Sequence, residues 1–144
     1  LELGLGRLRG YGREVRFSPN ALRGRDYLSR HPEARAADLL WAFREPEVDM
    51  ILCSTGGDDT YRLLPWLFDH NELAEAVTEK IFLGFSDTTV NHLMLHKVGL
   101  STFYGQAFLP DVCEPEDAAL HPALPGGAAG DRRHPPDPSQ RRVV

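Results

Sequence analysis

Cysteine is scarce: only Cys53 and Cys113 occur in 144 residues. They lie far apart, so no disulfide framework is expected and a reducing cytoplasm is the default compartment. Cys53 sits in an apolar run and reads as a small buried hydrophobe. No apolar stretch approaches the roughly 20 residues of a membrane helix, so no membrane partner is expected. No basic-then-apolar leader is seen. The chain opens Leu1-Glu2-Leu3-Gly4 without a methionine, so a true start further upstream is expected. Basic residues are outnumbered, 16 against 21 acidic ones, for a net charge of −5. That balance argues against a nucleic-acid partner. The rest is ordinary: 42% hydrophobic and 26% charged residues make one globular domain with a real core.

The informative stretch is Lys80-Ile81-Phe82-Leu83-Gly84-Phe85-Ser86-Asp87-Thr88-Thr89-Val90. Ile81, Phe82 and Leu83 read as a buried strand, which Gly84 breaks. Asp87, Thr88 and Thr89 suit the start of a helix that runs on to Val98. Ser86 then stands between a strand end and a helix start. Its hydroxyl is exposed there, with helix amides pointing at whatever it attacks. This is the logic of a nucleophile elbow. Gly84 and Ser86 fit Gly-x-Ser-x-Gly, but Thr88 replaces the second glycine. Spacing alone leaves catalysis and ordinary α/β punctuation both open.

Residues 1–13 read as the tail of a helix ended by Gly10 and Gly12. Residues 14–17 alternate like a strand, and residues 21–30 read as a loop or short helix. A helix is predicted over residues 32–43, with Pro32 at its first position and Glu33 at its positive end. Its apolar face carries Ala36, Leu40 and Phe43, with Ala37 and Trp41 beside them. Arg35 and Asp38 are spaced for a surface pair. Met50-Ile51-Leu52-Cys53 reads as a buried strand, and residues 55–59 as a tight turn at its end. Helical pieces follow over residues 60–68, with a break near Pro65, and over 71–78. Gly99 marks a helix end, and Ser101-Thr102-Phe103-Tyr104 a last short strand. The alternation predicts an α/β fold with a mostly parallel sheet flanked by helices. Ligands gather at the C-terminal ends of such strands, where residues 55–59 and 84–88 lie. The character changes after about Glu114, and six of eleven prolines fall from Pro115 onward. Residues 115–144 are expected to be a disordered Pro/Gly/Arg-rich tail, of the composition that a GC-rich gene yields out of frame.

At Gly84-Phe85-Ser86-Asp87-Thr88-Thr89 the chain resembles the LD-carboxypeptidase and microcin C resistance family of serine peptidases. Three further segments carry the likeness. Ala36-Ala37-Asp38-Leu39-Leu40-Trp41-Ala42-Phe43 resembles the helix before the family's second strand. Ile51-Leu52-Cys53-Ser54-Thr55-Gly56-Gly57-Asp58-Asp59 with Arg62-Leu63-Leu64-Pro65 resembles its glycine turn and following helix. Thr102-Phe103-Tyr104-Gly105-Gln106-Ala107 resembles the strand that closes its N-terminal domain. The match covers residues 4–114. The resemblance implies an N-terminal α/β domain with Ser86 as nucleophile. The oxyanion hole would come from the Asp87 amide and the Gly56-Gly57 turn. It implies a small-peptide or muropeptide substrate losing a terminal D-alanine, or a peptidyl-nucleotide antibiotic. No metal or organic cofactor is implied, and full-length relatives imply a homodimer. The family's general-base histidine and its orienting glutamate belong to a C-terminal domain that the chain is expected to lack, along with the first strand. A noncatalytic cleft that binds muropeptide, or a vestigial form, is the alternative.

Other candidates have plainer readings beside the sharp ones. Asp58 and Asp59 are an acid pair at the cleft mouth or caps for the next helix. The Asp87 side chain is expected to hold its turn. Tyr104 and Gln106 line a substrate groove, or Tyr104 is a core-edge residue. His92 and His96 are spaced as zinc ligands but lack a neighbouring glutamate and a third ligand, so packed or solvent-facing histidines are expected. His92 is badly placed as a substitute base, and nothing fixes His121 or His134 near Ser86. Gly56-Gly57 lacks the lysine and spacing of a phosphate loop. Trp41 and Trp66 read as core or interface residues.

Overall fold

The structure, a computed structural model, describes residues 1–115. Helix α1 (Glu2–Gly10) precedes α2 (Arg25–Arg30) and α3 (Pro32–Arg44). Strand β1 (Met50–Leu52) leads through a 3-10 turn, Thr60–Leu63, to α4 (Leu64–Phe68) and α5 (Glu72–Ala76). Strand β2 (Ile81–Gly84) enters a second 3-10 turn, Ser86–Thr88, and α6 (Thr89–Lys97). The short β3 (Phe103–Tyr104) and a π-helical turn, Phe108–Val112, follow. The three strands lie in the order β1-β2-β3, and both pairings are parallel. Met50 pairs with Ile81 and Gly84 with Tyr104, so the C-terminal strand ends are level.

Successive strand side chains point to opposite faces, and the burial obeys this. Ile51 and Phe82 join Phe43, Leu67, Leu73 and Leu95 in the core beneath α3 to α6. Leu52 and Leu83 point the other way, to Leu5 and Leu8 of α1 and to Phe108 and Val112. Apolar runs rather than alternation mark both strands because both faces are covered. Lys80 ties the base of β2 to α3, its Nζ donating to the carbonyls of Ala42 and Glu45 at that helix's C-terminal end.

Several expectations need correction. Residues 14–17 form no strand, only an isolated bridge at Val15. Val15 packs on the smaller core, while the Arg16 guanidinium lies 5.4 Å from the Trp41 ring. The helical stretch over 60–68 does break near Pro65 as expected, because the chain leaves the 3-10 turn at Leu64 and restarts with Pro65 in a first turn. A missing N–H costs nothing there. The piece expected over 71–78 shrinks to α5, entered through left-handed Asn71 and ended by extended Val77. On α3 it is Leu39, not Ala37, that joins the core. Arg35 does not pair with Asp38. Asp38 instead accepts from the Ser18 hydroxyl at 2.8 Å and from the Asn20 amide and side chain, pinning the 18–20 turn to α3. Trp66 is exposed, and Trp41 is half-buried. His121, His134 and the tail beyond residue 115 lie outside the described residues.

Candidate active site

Both unusual loops lie at the C-terminal ends of neighbouring parallel strands, so they meet. Gly84 ends β2 so close to β1 that a Cβ on it would stand 2.8 Å from Cys53 Sγ and from Thr88 Oγ1. No side chain fits there. Phe85 is extended, and Ser86 then takes φ +66. Holding a serine in that left-handed region costs on the order of 1–2 kcal/mol. The reversal leaves Ser86 exposed at the head of the 3-10 turn that feeds α6. Thr88 is buried and donates to the Phe85 carbonyl at 2.7 Å. The expected elbow is therefore present, and Thr88 fastens it from inside where a glycine was the usual expectation.

The glycine turn closes against the elbow. A Cβ on Gly56 would meet Ser86 Oγ and Cβ at 2.8 Å and the Asp87 amide nitrogen at 3.5 Å. A Cβ on Gly57 would lie 3.2 Å from Asp87 Oδ2. Ser86 Oγ, the Asp87 amide and the Gly56-Gly57 backbone thus share one small volume. That is the arrangement in which a carbonyl attacked by Ser86 would have amide donors beside its oxygen.

A polar network holds this volume together. Asp87 Oδ2 accepts from the Thr60 amide at 2.9 Å, from the Asp59 amide at 3.2 Å and from the Thr60 hydroxyl. The Asp59 carboxylate takes Arg35 at 2.6 Å, and Arg35 also donates to Thr60 Oγ1 at 3.3 Å. The expected capping role of Asp58 and Asp59 is therefore overturned. Asp59 begins the 3-10 turn without capping it, and the capping carboxylate is that of Asp87, from the other loop. Asp87 does hold a turn, but the glycine turn rather than its own. Arg35 and Thr60 were invisible as site residues in the sequence. Their only signal is position, since α3 and the turn after β1 carry no motif that pairs them.

The remaining candidates are dispersed. Asp58 is exposed at the rim, and Gln106 is half-buried beyond β3. Tyr104 is exposed, and its hydroxyl accepts from the Ser86 amide at 3.3 Å and meets the Thr89 side chain. Those bonds, Thr89 foremost, hold its phenol below the usual tyrosine range. His92 is buried and packed edge-on against Phe82. Its Nε2 lies 3.0 Å from the Gly84 carbonyl, which can only accept, so Nε2 carries the proton. Its Nδ1 meets the Thr102 hydroxyl at 2.7 Å. Both ring nitrogens are engaged, which removes His92 as a base. His96 is exposed on α6. No group of three or more His, Cys, Asp or Glu among the described residues could hold a metal ion. No helix among them is long and apolar enough to cross a membrane. A concavity of about 950 Å³, lined by Asp49, Lys80, Ile81 and Ser101 among others, takes in none of the site residues.

The profile of the LD-carboxypeptidase N-terminal domain matches residues 1–105. The chain belongs to the LD-carboxypeptidase family. A Streptomyces coelicolor relative, whose name proposes a carboxypeptidase, is 38% identical over 112 residues, covering 73% of this chain and 34% of its own length. The solved structure of an MccF-like protein from Streptococcus pneumoniae in complex with AMP superposes with a TM-score of 0.78 and 58% identity, covering 78% of this chain and 33% of that one. Muramoyltetrapeptide carboxypeptidase from Oxalobacter formigenes gives 0.60 and 29%, covering 80% and 38%. The chain spans about a third of the length of these relatives. The α/β architecture and the family expected from the sequence are thereby both established.

Proposed function

We propose that Ser86 is the nucleophile of a serine-type LD-carboxypeptidase. The observation that carries this is the closeness of the two loops: a Cβ on Gly56 would stand 2.8 Å from Ser86 Oγ and 3.5 Å from the Asp87 amide nitrogen. The Ser86 hydroxyl adds to the carbonyl carbon of an amide. The carbonyl oxygen becomes an anion beside the Asp87 amide and the Gly56-Gly57 backbone, and removal of one such donor typically lowers rate on the order of a hundredfold. The C–N bond then breaks, and the amine leaves with the proton taken from Ser86. Water hydrolyses the resulting ester and restores the serine. A serine hydroxyl is a weak nucleophile without an adjacent base. The histidine and orienting glutamate implied by the family would come from the portion of the relatives that this chain does not span, so the chain by itself is expected to be inactive. No cofactor enters this chemistry.

The substrate on this reading is a muropeptide tetrapeptide that loses its terminal D-alanine, bordered by Asp58, Asp59 and Gln106. The relative from Oxalobacter formigenes favours it by name. The 58% identity to the AMP-bound MccF-like protein favours a second reading, in which the amide belongs to a peptidyl-nucleotide. The whole protein would act in the cytoplasm as a homodimer, without nucleic acid or membrane.

The test supplies the C-terminal part of the Streptococcus pneumoniae relative in trans and offers both substrates. Release of D-alanine or of the nucleotide product, lost in Ser86→Ala, supports the reading and chooses the substrate. Turnover that survives Ser86→Ala overturns it. Demonstrated docking without turnover of either substrate supports a binding role instead.

A further inference from the structure

Ser86 is held at its backbone N–H and at its C=O by two different hydroxyls. Its N–H donates to the Tyr104 hydroxyl at 3.3 Å. Its carbonyl accepts from the Thr89 hydroxyl. Tyr104 reaches Ser86 from β3 and Thr89 from the first turn of α6.

The two bonds hold a non-glycine residue at φ +66, a conformation a serine does not keep unaided. Rotation to an ordinary helical or extended φ would break one or both bonds. It would also move Oγ away from the glycine turn, where a Cβ on Gly56 would stand 2.8 Å from it. We propose that Tyr104 and Thr89 form a hydroxyl clamp that holds the Ser86 backbone in its left-handed conformation, making both of them positioning residues. Tyr104 on this account serves the nucleophile from behind rather than lining the substrate groove. The clamp joins β3 to the first turn of α6. The catalytic meaning of the clamp rests on Ser86 being the nucleophile, whereas the clamp itself is a statement about backbone conformation.

The test therefore reads conformation first. NMR on the full chain measures Ser86 amide exchange and its Cα and Cβ shifts in wild type, Tyr104→Phe, Thr89→Val and Thr89→Ser. Tyr104→Phe and Thr89→Val should each speed Ser86 amide exchange about tenfold, the scale of one hydrogen bond, and move its shifts out of the left-handed range. Thr89→Ser, which keeps the hydroxyl, should restore both. Unchanged exchange and shifts in the two disruptive variants would overturn the clamp. In the assembly reconstituted in trans, kcat should fall about tenfold with KM unmoved; a rise in KM alone would make Tyr104 a substrate contact and overturn the positioning role. Altered Ser86 conformation together with activity that survives Ser86→Ala would sink the nucleophile and leave the clamp standing.

Discussion

The Asp87 carboxylate, one residue past the elbow, caps the amide of Thr60 at 2.9 Å across 27 positions of sequence. One side chain thus fixes the distance between the two loops that make the site. Removing it leaves the Thr60 and Asp59 amides without their acceptor. Asp87→Ala should destabilise the fold by about 1–2 kcal/mol, the range of a lost helix cap. Urea denaturation followed by circular dichroism measures this, and an unchanged midpoint would contradict the capping role.

Gly56 and Gly57 are adjacent yet should respond differently. A Cβ on Gly56 collides with Ser86 at 2.8 Å, while one on Gly57 meets the Asp87 carboxylate at 3.2 Å. Gly56→Ala should displace Ser86, cost about 1–3 kcal/mol as overpacking does, and abolish turnover in the trans assembly. Gly57→Ala should be the milder change in both readouts. Equal effects would show that the turn is loose against the elbow.

His92 should prove structural. His92→Leu removes two hydrogen bonds, one to the Gly84 carbonyl, which keeps the Gly105 amide as a donor at 3.0 Å, and one to the Thr102 hydroxyl, at a cost of about 1–3 kcal/mol together. His96→Ala, on the exposed face of α6, should fall within about 0.5 kcal/mol of wild type. Thermal melts compare the two, and a stable His92→Leu would contradict the assigned bonds.

Burial pushes the Cys53 thiol from its ordinary 9.0 up to about 12, against a smaller opposing bond from Thr88. The protonated thiol is the form the fold favours. Its contribution is complete below pH 9.0, where the unfolded thiol is also protonated. It is lost as pH rises through the window from 9.0 to about 12. The stability difference between wild type and Cys53→Ala should therefore shrink with rising pH across that window. Iodoacetamide at about pH 8 should modify Cys53 slowly in the folded chain and readily in urea. Rapid native modification would contradict the burial.

The sequence displayed local features well and cross-chain ones poorly. Ser86, Gly84 and the apolar runs at Ile51 and Phe82 were legible because each is set by neighbours in sequence. The strand expected at residues 14–17 failed because alternation cannot say whether a partner strand exists. Asp58 and Asp59 were read as caps because they precede a helical stretch. The actual cap, Asp87, arrives from another loop, and no local pattern encodes that. Arg35, Thr60 and Thr89 were missed for the same reason, since their partners are set by the parallel register of β1, β2 and β3.

The most direct test of the central claim is the site of acylation. Mass spectrometry should locate a fluorophosphonate adduct after the chain has been assembled in trans with the relative's C-terminal part. The account predicts one adduct on Ser86, absent in Ser86→Ala and slow to form without the added part. An adduct on another residue, or one that persists in Ser86→Ala, would contradict it.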